Sequence, residues 1–167
     1  MKDPIQDIIT TLDLQPHPEG GWFRETYRSD RVLSQACLGS GFGGDRNGCT
    51  DIYFLLTSAN FSAFHRIRQD ELWHFHQGDG LFVHIIAPDG SCSRLALGND
   101  LANGQVPQGV VPAGHWFASE VAVDDGFALV SCTVAPGFDF ADFELARRDA
   151  LASAFPKHLE LIRRMTR

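Results

Sequence analysis

Long apolar runs are missing from this 167-residue sequence. No stretch approaches the roughly 18 consecutive apolar residues that a membrane-spanning helix needs, and residues 1–7 lack the apolar core of a secretion signal. Cysteine is also scarce. None of the four cysteines stands in Cys-x-x-Cys spacing, which argues against a zinc ribbon or a thioredoxin-like motif. We therefore expect reduced thiols, no membrane partner and a cytoplasmic location.

Basic residues are outnumbered in this chain, since 14 Lys and Arg stand against 21 Asp and Glu and the formal net charge is −7. An acidic field repels the phosphate backbone of DNA and RNA, so we expect no nucleic-acid partner. Apolar residues make up 44% of the chain, which is too many for a disordered segment. The length and composition indicate one globular domain over residues 1–167.

Short strand-like segments dominate the middle of the chain, separated by turn formers such as Pro88-Asp89-Gly90. This pattern predicts a mainly β fold, either a sandwich, a jelly roll or a barrel, with a barrel core over about residues 20–136. A short helix is predicted over 4–13, a long loop over 34–48, and two helices after residue 137. The predicted strands span residues 22–27, 51–57, 62–66, 71–76, 81–87, 92–97, 104–111, 115–122 and 128–134.

Two titratable residues, His65 and Glu71, flank a predicted turn between two strands. A hairpin would bring them close together, and an imidazole beside a carboxylate in an aromatic pocket can act as a proton-transfer pair. A purely structural polar bridge inside the barrel is the alternative. In a second informative segment, Pro112 and Gly114 set a tight turn before a strand that begins with an imidazole and two aromatic rings.

These residues carry a resemblance to a known superfamily. His65, Glu71 and Gly78 match positions of the usual first cupin motif, and Pro112 and Gly114 match positions of the second. More specifically, the chain resembles the cupin subfamily DUF985, also called cupin-5. The stretches that carry this closer resemblance are residues 17–29 (HPEGGWFRETYRS), 52–56, 64–66, 70–75 and 134–138.

The resemblance implies a cupin double-stranded β-helix, which is a jelly-roll barrel, with a short N-terminal helix and C-terminal helices. It also implies a homodimer, which the open sheet edges of an aromatic-rich β surface favour as well. It implies no single activity, because cupins include metal-dependent oxygenases, sugar isomerases, metal-free sugar-nucleotide epimerases and storage or ligand-binding proteins. The function must therefore be argued from the site.

The sequence departs from the cupin pattern at two ligand positions. The second histidine of the first motif falls at Ile67, and the histidine of the second motif falls at Phe117. A typical cupin metal site uses three histidines and one glutamate, so only His65 and Glu71 match, and we predict no cofactor. The alternative is a divalent transition metal on His65 and Glu71, completed by a histidine from elsewhere: His17, His84 or His115.

The ligand expected inside the barrel is small and polar, either sugar-like or anionic. If the protein is an enzyme, we expect isomerase- or epimerase-type proton transfer, with His65 as acid/base and Glu71 as its partner. The alternatives are a divalent-metal-dependent oxygenase or sugar isomerase, and a non-catalytic ligand-binding or storage-like protein. A one-residue register error reverses a strand, so the pattern of 22–27 does not decide which of its faces lines the pocket. The predicted ligand-binding residues are Arg24, Glu25, Trp73, Phe75, His115, Trp116 and Phe117.

Overall fold

The structure is a computed structural model that describes residues 4–167. Its strands are β1 (Gln15–Pro16), β2 (Trp22–Arg28), β3 (Val32–Leu33), β4 (Arg46–Asn47), β5 (Thr50–Thr57), β6 (Phe61–Arg66), β7 (Asp70–Gly78), β8 (Leu81–Ile86), β9 (Cys92–Leu97), β10 (Gln108–Val111), β11 (Trp116–Val121), β12 (Phe127–Ala135) and β13 (Glu144–Leu145). Its α-helices are α1 (Pro4–Thr11), α2 (Gln35–Leu38), α3 (Arg148–Ala154) and α4 (Leu159–Arg164), and 3₁₀ turns lie at Leu101–Asn103, Phe140–Asp142 and Pro156–His158. Within residues 4–167, none of the helices is long and apolar enough to cross a bilayer.

Two antiparallel sheets form the barrel. The larger has six strands in the order β1-β2-β5-β12-β7-β10, and the smaller has five in the order β13-β6-β11-β8-β9. Some strands that follow each other in the chain, such as β5 and β6 or β6 and β7, therefore lie in different sheets, whereas β8 and β9 pair directly. The predicted mainly β jelly roll, with a short N-terminal helix and C-terminal helices, is confirmed.

Large side chains from both sheets fill one part of the space between them. Phe54 on β5, Trp73 on β7 and Phe117 on β11 are almost completely buried. The Trp73 ring meets Phe54 edge-to-face at 6.0 Å and Phe117 at 6.3 Å between ring centroids. These three rings, which we call the aromatic floor, close the barrel interior on one side of the cavity described below.

Helices cover the outer faces of the two sheets. The apolar stripe of α1 packs on Leu55 and Leu129, which point outward from the six-stranded sheet. Leu151 of α3 and Ile162 of α4 pack with Phe64 on the outer face of the five-stranded sheet. Leu55, which follows Phe54 along β5, thus packs against a helix and not into the barrel.

The segment 34–48 contains more regular structure than the long loop that the sequence predicts. It includes α2 and β4, and β4 pairs with β3 in a small hairpin. The carboxylate of Asp45 accepts a hydrogen bond from the backbone amide of Gln35 at 2.8 Å, and the Gln35 side chain donates to the carbonyl of Phe42 at 2.9 Å. Local polar contacts of this kind order the segment, and apolar periodicity does not reveal them.

Candidate active site

A partly open cavity of about 370 Å³ lies inside the barrel, beside the aromatic floor. Residues of β2, β5, β7 and β12 from the larger sheet, of β6 from the smaller sheet, and of the segment after β12 line it. This volume accommodates a small organic molecule. The lining residues are His17, Glu19, Phe23, Glu25, Arg28, Thr50, Ile52, His65, Ile67, Glu71, Cys132, Val134, Phe138, Asp139, Phe140 and Phe143.

A buried ion pair joins His65 on β6 to Glu19. The Nε2 atom of His65 lies 3.0 Å from Glu19 Oε2, and its Nδ1 atom lies 2.7 Å from the carbonyl oxygen of Ala63. Because both oxygens are acceptors, both ring nitrogens donate and the ring is an imidazolium. Burial alone would lower the pKa of His65, but the charge and the hydrogen bond of Glu19 raise it above its ordinary value. Burial would likewise raise the pKa of Glu19, and His65 lowers it.

Glu19 reaches His65 because the glycines that follow it allow a tight turn. Gly20 and Gly21 adopt φ angles of +115° and +77°, which residues with a Cβ atom rarely adopt. The carbonyl of Glu19 accepts a hydrogen bond from the amide of Ala63 at 3.0 Å, which fixes this turn against β6. A Cβ atom on Gly20 would lie only 2.2 Å from the carbonyl oxygen of Phe61, so the turn leaves no room for a side chain.

Replacing Gly20 by alanine is expected to destabilise the protein and to displace Glu19. The strained φ and the clash with the Phe61 carbonyl together cost about 2–4 kcal/mol of unfolding free energy. Chemical denaturation measures this loss, and NMR titration should show a lower pKa for His65. The matched control is Gly39→Ala, where φ is +82° but nothing lies within 4 Å of the added Cβ. If both variants lose equal stability, steric crowding at Gly20 does not hold the turn.

His17 is an uncharged residue of the cavity wall next to this ion pair. Its Nδ1 atom accepts a hydrogen bond from the backbone amide of Glu19 at 3.2 Å. Burial lowers the pKa of His17 and outweighs the opposing effect of the Glu19 charge. A neutral ring that accepts at Nδ1 carries its proton on Nε2, so His17 is a hydrogen-bond donor without charge.

Glu71 on β7 is a buried carboxyl group on the cavity wall. Burial raises the pKa of Glu71 to about 7; the negative charge of Glu19 acts in the same direction, and the positive charge of His65 opposes it. The thiol of Cys132 on β12 donates a hydrogen bond to Glu71. Burial and the nearby carboxylates raise the pKa of Cys132 well above its ordinary value, so the thiol stays protonated. Glu71 therefore exchanges a proton near neutral pH.

Arg28 and Glu25 form a bidentate ion pair at the half-exposed mouth of the cavity. Arg28 Nε lies 2.9 Å from Glu25 Oε1, and Arg28 Nη2 lies 2.7 Å from Glu25 Oε2. Residues three apart on a regular strand face opposite sides, but the register of β2 shifts between Glu25 and Tyr27. This bulge turns both members of the pair to the cavity side.

Three phenylalanines form the remaining wall, on the segment between β12 and β13. Phe138, Phe140 and Phe143, which we call the aromatic wall, meet edge-to-face with ring centroids 5.0 to 6.3 Å apart. Phe143 also stacks on His65 at 5.4 Å. A buried bidentate ion pair between Asp142 and Arg46, with both N···O distances at 2.7 Å, holds this segment to β4.

His65 and Glu71 both line the cavity, but the predicted hairpin is wrong. β6 belongs to the five-stranded sheet and β7 to the six-stranded sheet, because residues 67–69 carry the chain from one sheet to the other. The two side chains therefore face the cavity from opposite sheets. The ion-pair partner of His65 is Glu19, and Glu71 acts on His65 only through its charge.

Strand β2 places Phe23 and Glu25 in the cavity and Arg24 outside it. Arg24 Nη1 donates a hydrogen bond to the carbonyl of Leu12, next to α1, at 3.0 Å. The expectation that Arg24 contacts the ligand is therefore corrected, because the alternation of the strand turns it to the outer face.

The predicted aromatic contacts divide between the barrel interior and its outside. Trp73 and Phe117 belong to the aromatic floor, and Phe75 packs against the same core, so none of the three lines the open cavity. Trp116 packs with the C-terminal helices on the outer face of its sheet. His115 is in the turn before β11, where its Nδ1 atom lies 3.1 Å from the carbonyl of Ala113. The expectation that Trp116 and His115 contact the ligand is corrected as well.

Several cavity residues were missed by the sequence reasoning: Glu19, Arg28, Cys132 and the aromatic wall. His17 was considered only as a spare metal ligand. His17, Glu19 and Arg28 all lie in the stretch 17–29, which concentrates titratable residues beside two glycines. Turn formers in that stretch favour a tight turn, and a tight turn can deliver the adjacent side chains to a site.

The residues present do not fit the three-histidine, one-glutamate metal site of typical cupins. Among residues 4–167, no group of three or more His, Cys, Asp or Glu side chains is arranged to hold a metal ion. Ile67 and Phe117, both buried, occupy the positions of the missing histidines. Both ring nitrogens of His65 are already hydrogen-bonded, and His84 is paired with Glu120 at 2.8 Å.

Comparison with known proteins agrees with this architecture. The family model described as Cupin superfamily (DUF985) matches residues 6–146. The uncharacterized protein YML079W of Saccharomyces cerevisiae is 36% identical over 148 residues, which cover 83% of this chain and 73% of that protein.

Solved structures show the same relationship. The crystal structure of protein SO0799 from Shewanella oneidensis has a TM-score of 0.89 and 40% identity, covering 100% of this chain and 99% of that one. A hypothetical protein from Leishmania major has a TM-score of 0.89 and 36% identity, covering 96% and 97%. Oxalate decarboxylase from Bacillus subtilis shares only the fold, with a TM-score of 0.55 and 16% identity over 91% of this chain and 37% of that one. The chain therefore belongs to the DUF985 family of the cupin superfamily, as the motifs in its sequence indicate.

Proposed function

We propose that this protein binds a small polar molecule in its cavity and exchanges a proton between that molecule and Glu71, as an isomerase or epimerase does. The observation that carries the proposal is a buried carboxyl group on the wall of an accessible cavity. With a pKa of about 7, Glu71 is present in both protonation states near neutral pH. A residue that accepts a proton in one step and returns it in the next needs this property.

Different cavity residues carry out the separate steps of such a reaction. The Glu71 carboxylate takes a proton from a ligand carbon next to a carbonyl group, and the electron pair of the broken C–H bond moves to the carbonyl oxygen. His17, with its proton on Nε2, is a neutral donor suited to that oxygen. Glu71 then returns the proton to the same carbon or to its neighbour, so that atoms and charge balance.

His65 has a positioning and electrostatic role in this proposal. Its two ring nitrogens are committed to Glu19 and to the Ala63 carbonyl, so neither is free to accept a proton from the ligand. Its positive charge favours the ionised form of Glu71 and offsets the negative charge that develops on the ligand. The role of acid/base that the sequence suggests for His65 passes to Glu71.

Deuterium incorporation from D₂O tests the proposal without knowledge of the product. Protein purified without a metal-affinity column or chelator is incubated with small neutral, cationic and anionic carbonyl compounds, and their carbon-bound hydrogens are followed by NMR. We expect exchange next to the carbonyl of at least one compound. We expect Glu71→Gln to slow that exchange at least about 100-fold, because it removes the proton acceptor.

The control variant is Glu160→Gln, which changes an exposed carboxylate on α4 and should exchange at the wild-type rate. Exchange that survives Glu71→Gln would contradict the role of Glu71. No exchange by the wild-type protein with any compound would contradict proton transfer and favour a non-catalytic ligand-binding protein. Elemental analysis of the same preparation tests the metal-dependent alternative, since one transition-metal ion per chain would favour a metal-dependent cupin.

The cytoplasmic location and the homodimer expected from the sequence belong to this proposal too. All four cysteines are free thiols, which suits a reducing compartment. The larger sheet ends in strands β1 and β10 and the smaller sheet in β13 and β9, and sheet edges of this kind support pairing between two copies.

A further inference from the structure

The charges on the cavity wall do not favour an anionic ligand. Two cations, His65 and Arg28, face the cavity together with the carboxyl groups of Glu19, Glu25, Glu71 and Asp139. With Glu71 ionised, four negative charges stand against two positive ones. A ligand carboxylate or phosphate would add to this excess in a site partly shielded from water, where like charges repel strongly.

The guanidinium of Arg28 has no free hydrogen-bond donor with which to bind an anion. Its Nε and one Nη2 proton bond to Glu25 at 2.9 and 2.7 Å. Its Nη1 atom bonds to Asn47 Oδ1 at 2.8 Å, and both Nη atoms approach the carbonyl of Phe138 at 3.3 Å. These contacts account for all five N–H groups of the side chain. The usual partner of a carboxylate or phosphate is therefore already satisfied within the protein.

The hydrogen-bonding capacity left in the cavity is mostly that of an acceptor. Both nitrogens of the His65 imidazolium are used, which leaves the Nε2–H of His17 and the hydroxyl of Thr50 as donors. Each ionised carboxylate accepts several hydrogen bonds. Asp139 Oδ1 accepts one from the backbone amide of Ala141 at 2.8 Å and Glu71 accepts one from the Cys132 thiol, so both retain acceptor capacity. A ligand rich in donors satisfies these groups, whereas an acid leaves them without partners.

The aromatic wall adds a second feature that suits a positive charge. Phe138, Phe140 and Phe143 line the same cavity as Asp139 and Glu71, and their rings meet edge-to-face. Aromatic faces attract organic cations through the ring quadrupole, most strongly where water is excluded. Phe23 and Ile52 complete an apolar surface on which the body of such a ligand can pack.

We propose that the ligand of this cavity is a small organic ammonium ion with an apolar body, and not an acid or a phosphate ester. This inference rests on the ligand-binding part of the proposed function and names its substrate class. The ammonium group binds between Glu71 and Asp139, and the apolar body packs on the aromatic wall. The expectation of an anionic or sugar-like ligand is replaced by this class.

A matched set of three probes tests the inference: benzylammonium, benzyl alcohol and benzoate share a ring and differ in charge. Their binding to the wild-type protein is measured by calorimetry and by ligand-observed NMR. We expect benzylammonium to bind at least about tenfold more tightly than either of the others. Glu71→Gln and Asp139→Asn should each weaken benzylammonium about three- to tenfold, and Glu160→Gln should leave it unchanged.

The pH dependence gives an independent readout. Glu71 is faced by Glu19 from the β1–β2 connection, by His65 from β6 and by Cys132 from β12. As Glu71 ionises with rising pH through about 7, the affinity for benzylammonium should increase while the ring of the probe stays the same. In Glu71→Gln this increase should be absent.

Two outcomes of the probe experiment overturn the inference. If benzoate binds as tightly as benzylammonium, or if none of the three probes binds, the ammonium class is wrong. Deuterium exchange on a neutral or anionic carbonyl compound would then still support proton transfer at Glu71. Conversely, tight benzylammonium binding with no deuterium exchange on any compound would support the ligand class and contradict the proton transfer.

Discussion

At about pH 8.5, Glu71→Gln is expected to be more stable than the wild-type protein by roughly 3 kcal/mol. The reason is the cost of holding a carboxylate in a buried position, which raises the pKa of Glu71 from an ordinary value of 4.5 to about 7. Glutamine has nearly the same shape, carries no charge and can still accept the hydrogen bond from the Cys132 thiol. The variant keeps the packing and removes the cost of a buried ionised group.

The direction of the pH dependence follows from the two protonation states. Below about pH 4.5 the carboxyl group is protonated in both the folded and the unfolded chain, so the variant gains nothing from this source. Between about pH 4.5 and 7 the folded state binds more protons than the unfolded state, and wild-type stability falls as pH rises. Above the folded-state pKa of about 7 the loss is complete, and the variant shows its full advantage.

Thermal unfolding of the two proteins at several pH values measures this effect. For a chain of this length, roughly 3 kcal/mol corresponds to an increase in Tm of about 6–12 °C. Glu160→Gln changes an exposed carboxylate and should show no such pH-dependent difference. A Glu71→Gln variant that is less stable than wild type at every pH would mean that the ionised carboxylate stabilises the fold, and the proposed acid/base role would lose its basis. A gain in stability together with lost activity is the usual result at an active-site residue.

The sequence predicts the barrel better than it predicts the site, and β2 shows why. The alternation of residues 22–27 correctly places Phe23 and Glu25 on one face of the strand and Arg24 on the other. Only the packing of α1 on the outer side decides which group faces inward. The same alternation also cannot show that Arg28 faces the cavity, because the shift in register after Glu25 depends on how β2 pairs with β5.

The error at His65 has a similar origin. Proximity along the chain suggests Glu71 as its partner, but residues 67–69 cross between the sheets, and the ion pair forms with Glu19, 46 positions earlier in the sequence. Motif spacing identifies His65 and Glu71 as cavity residues, since both come from strands that the cupin motif places there. It carries no information on contacts between distant segments, which tertiary packing alone creates.

Asp142→Asn is expected to destabilise the protein by about 3–5 kcal/mol, because it removes the carboxylate that is hydrogen-bonded to the buried guanidinium of Arg46. The side chains of Arg46 and Asp142 are 5% and 0% exposed. Burial would raise the pKa of Asp142, but the hydrogen bonds from Arg46 and Gln69 lower it, so the group is a carboxylate at neutral pH. An asparagine amide would direct N–H donors toward the donors of Arg46 and Gln69.

The same change should loosen the aromatic wall, since Asp142 holds the segment that carries Phe143 to β4. Benzylammonium binding is then expected to weaken even where the variant remains folded. Glu144→Gln is the matched control on the same segment, because Glu144 pairs with Arg66 while their side chains are 55% and 42% exposed. Removing that exposed pair should cost at most about 1 kcal/mol.

A double variant separates the lost charge balance from the lost contact. Replacing both partners, as Arg46→Met with Asp142→Leu, removes the two buried charges together and should be less destabilising than Asp142→Asn alone. Denaturation midpoints of Arg46→Met, of Asp142→Leu and of the double variant measure the coupling between the two side chains. If Asp142→Asn costs no more than Glu144→Gln, the buried pair does not hold the segment. The aromatic wall would then owe its position to the packing of Phe143 on His65.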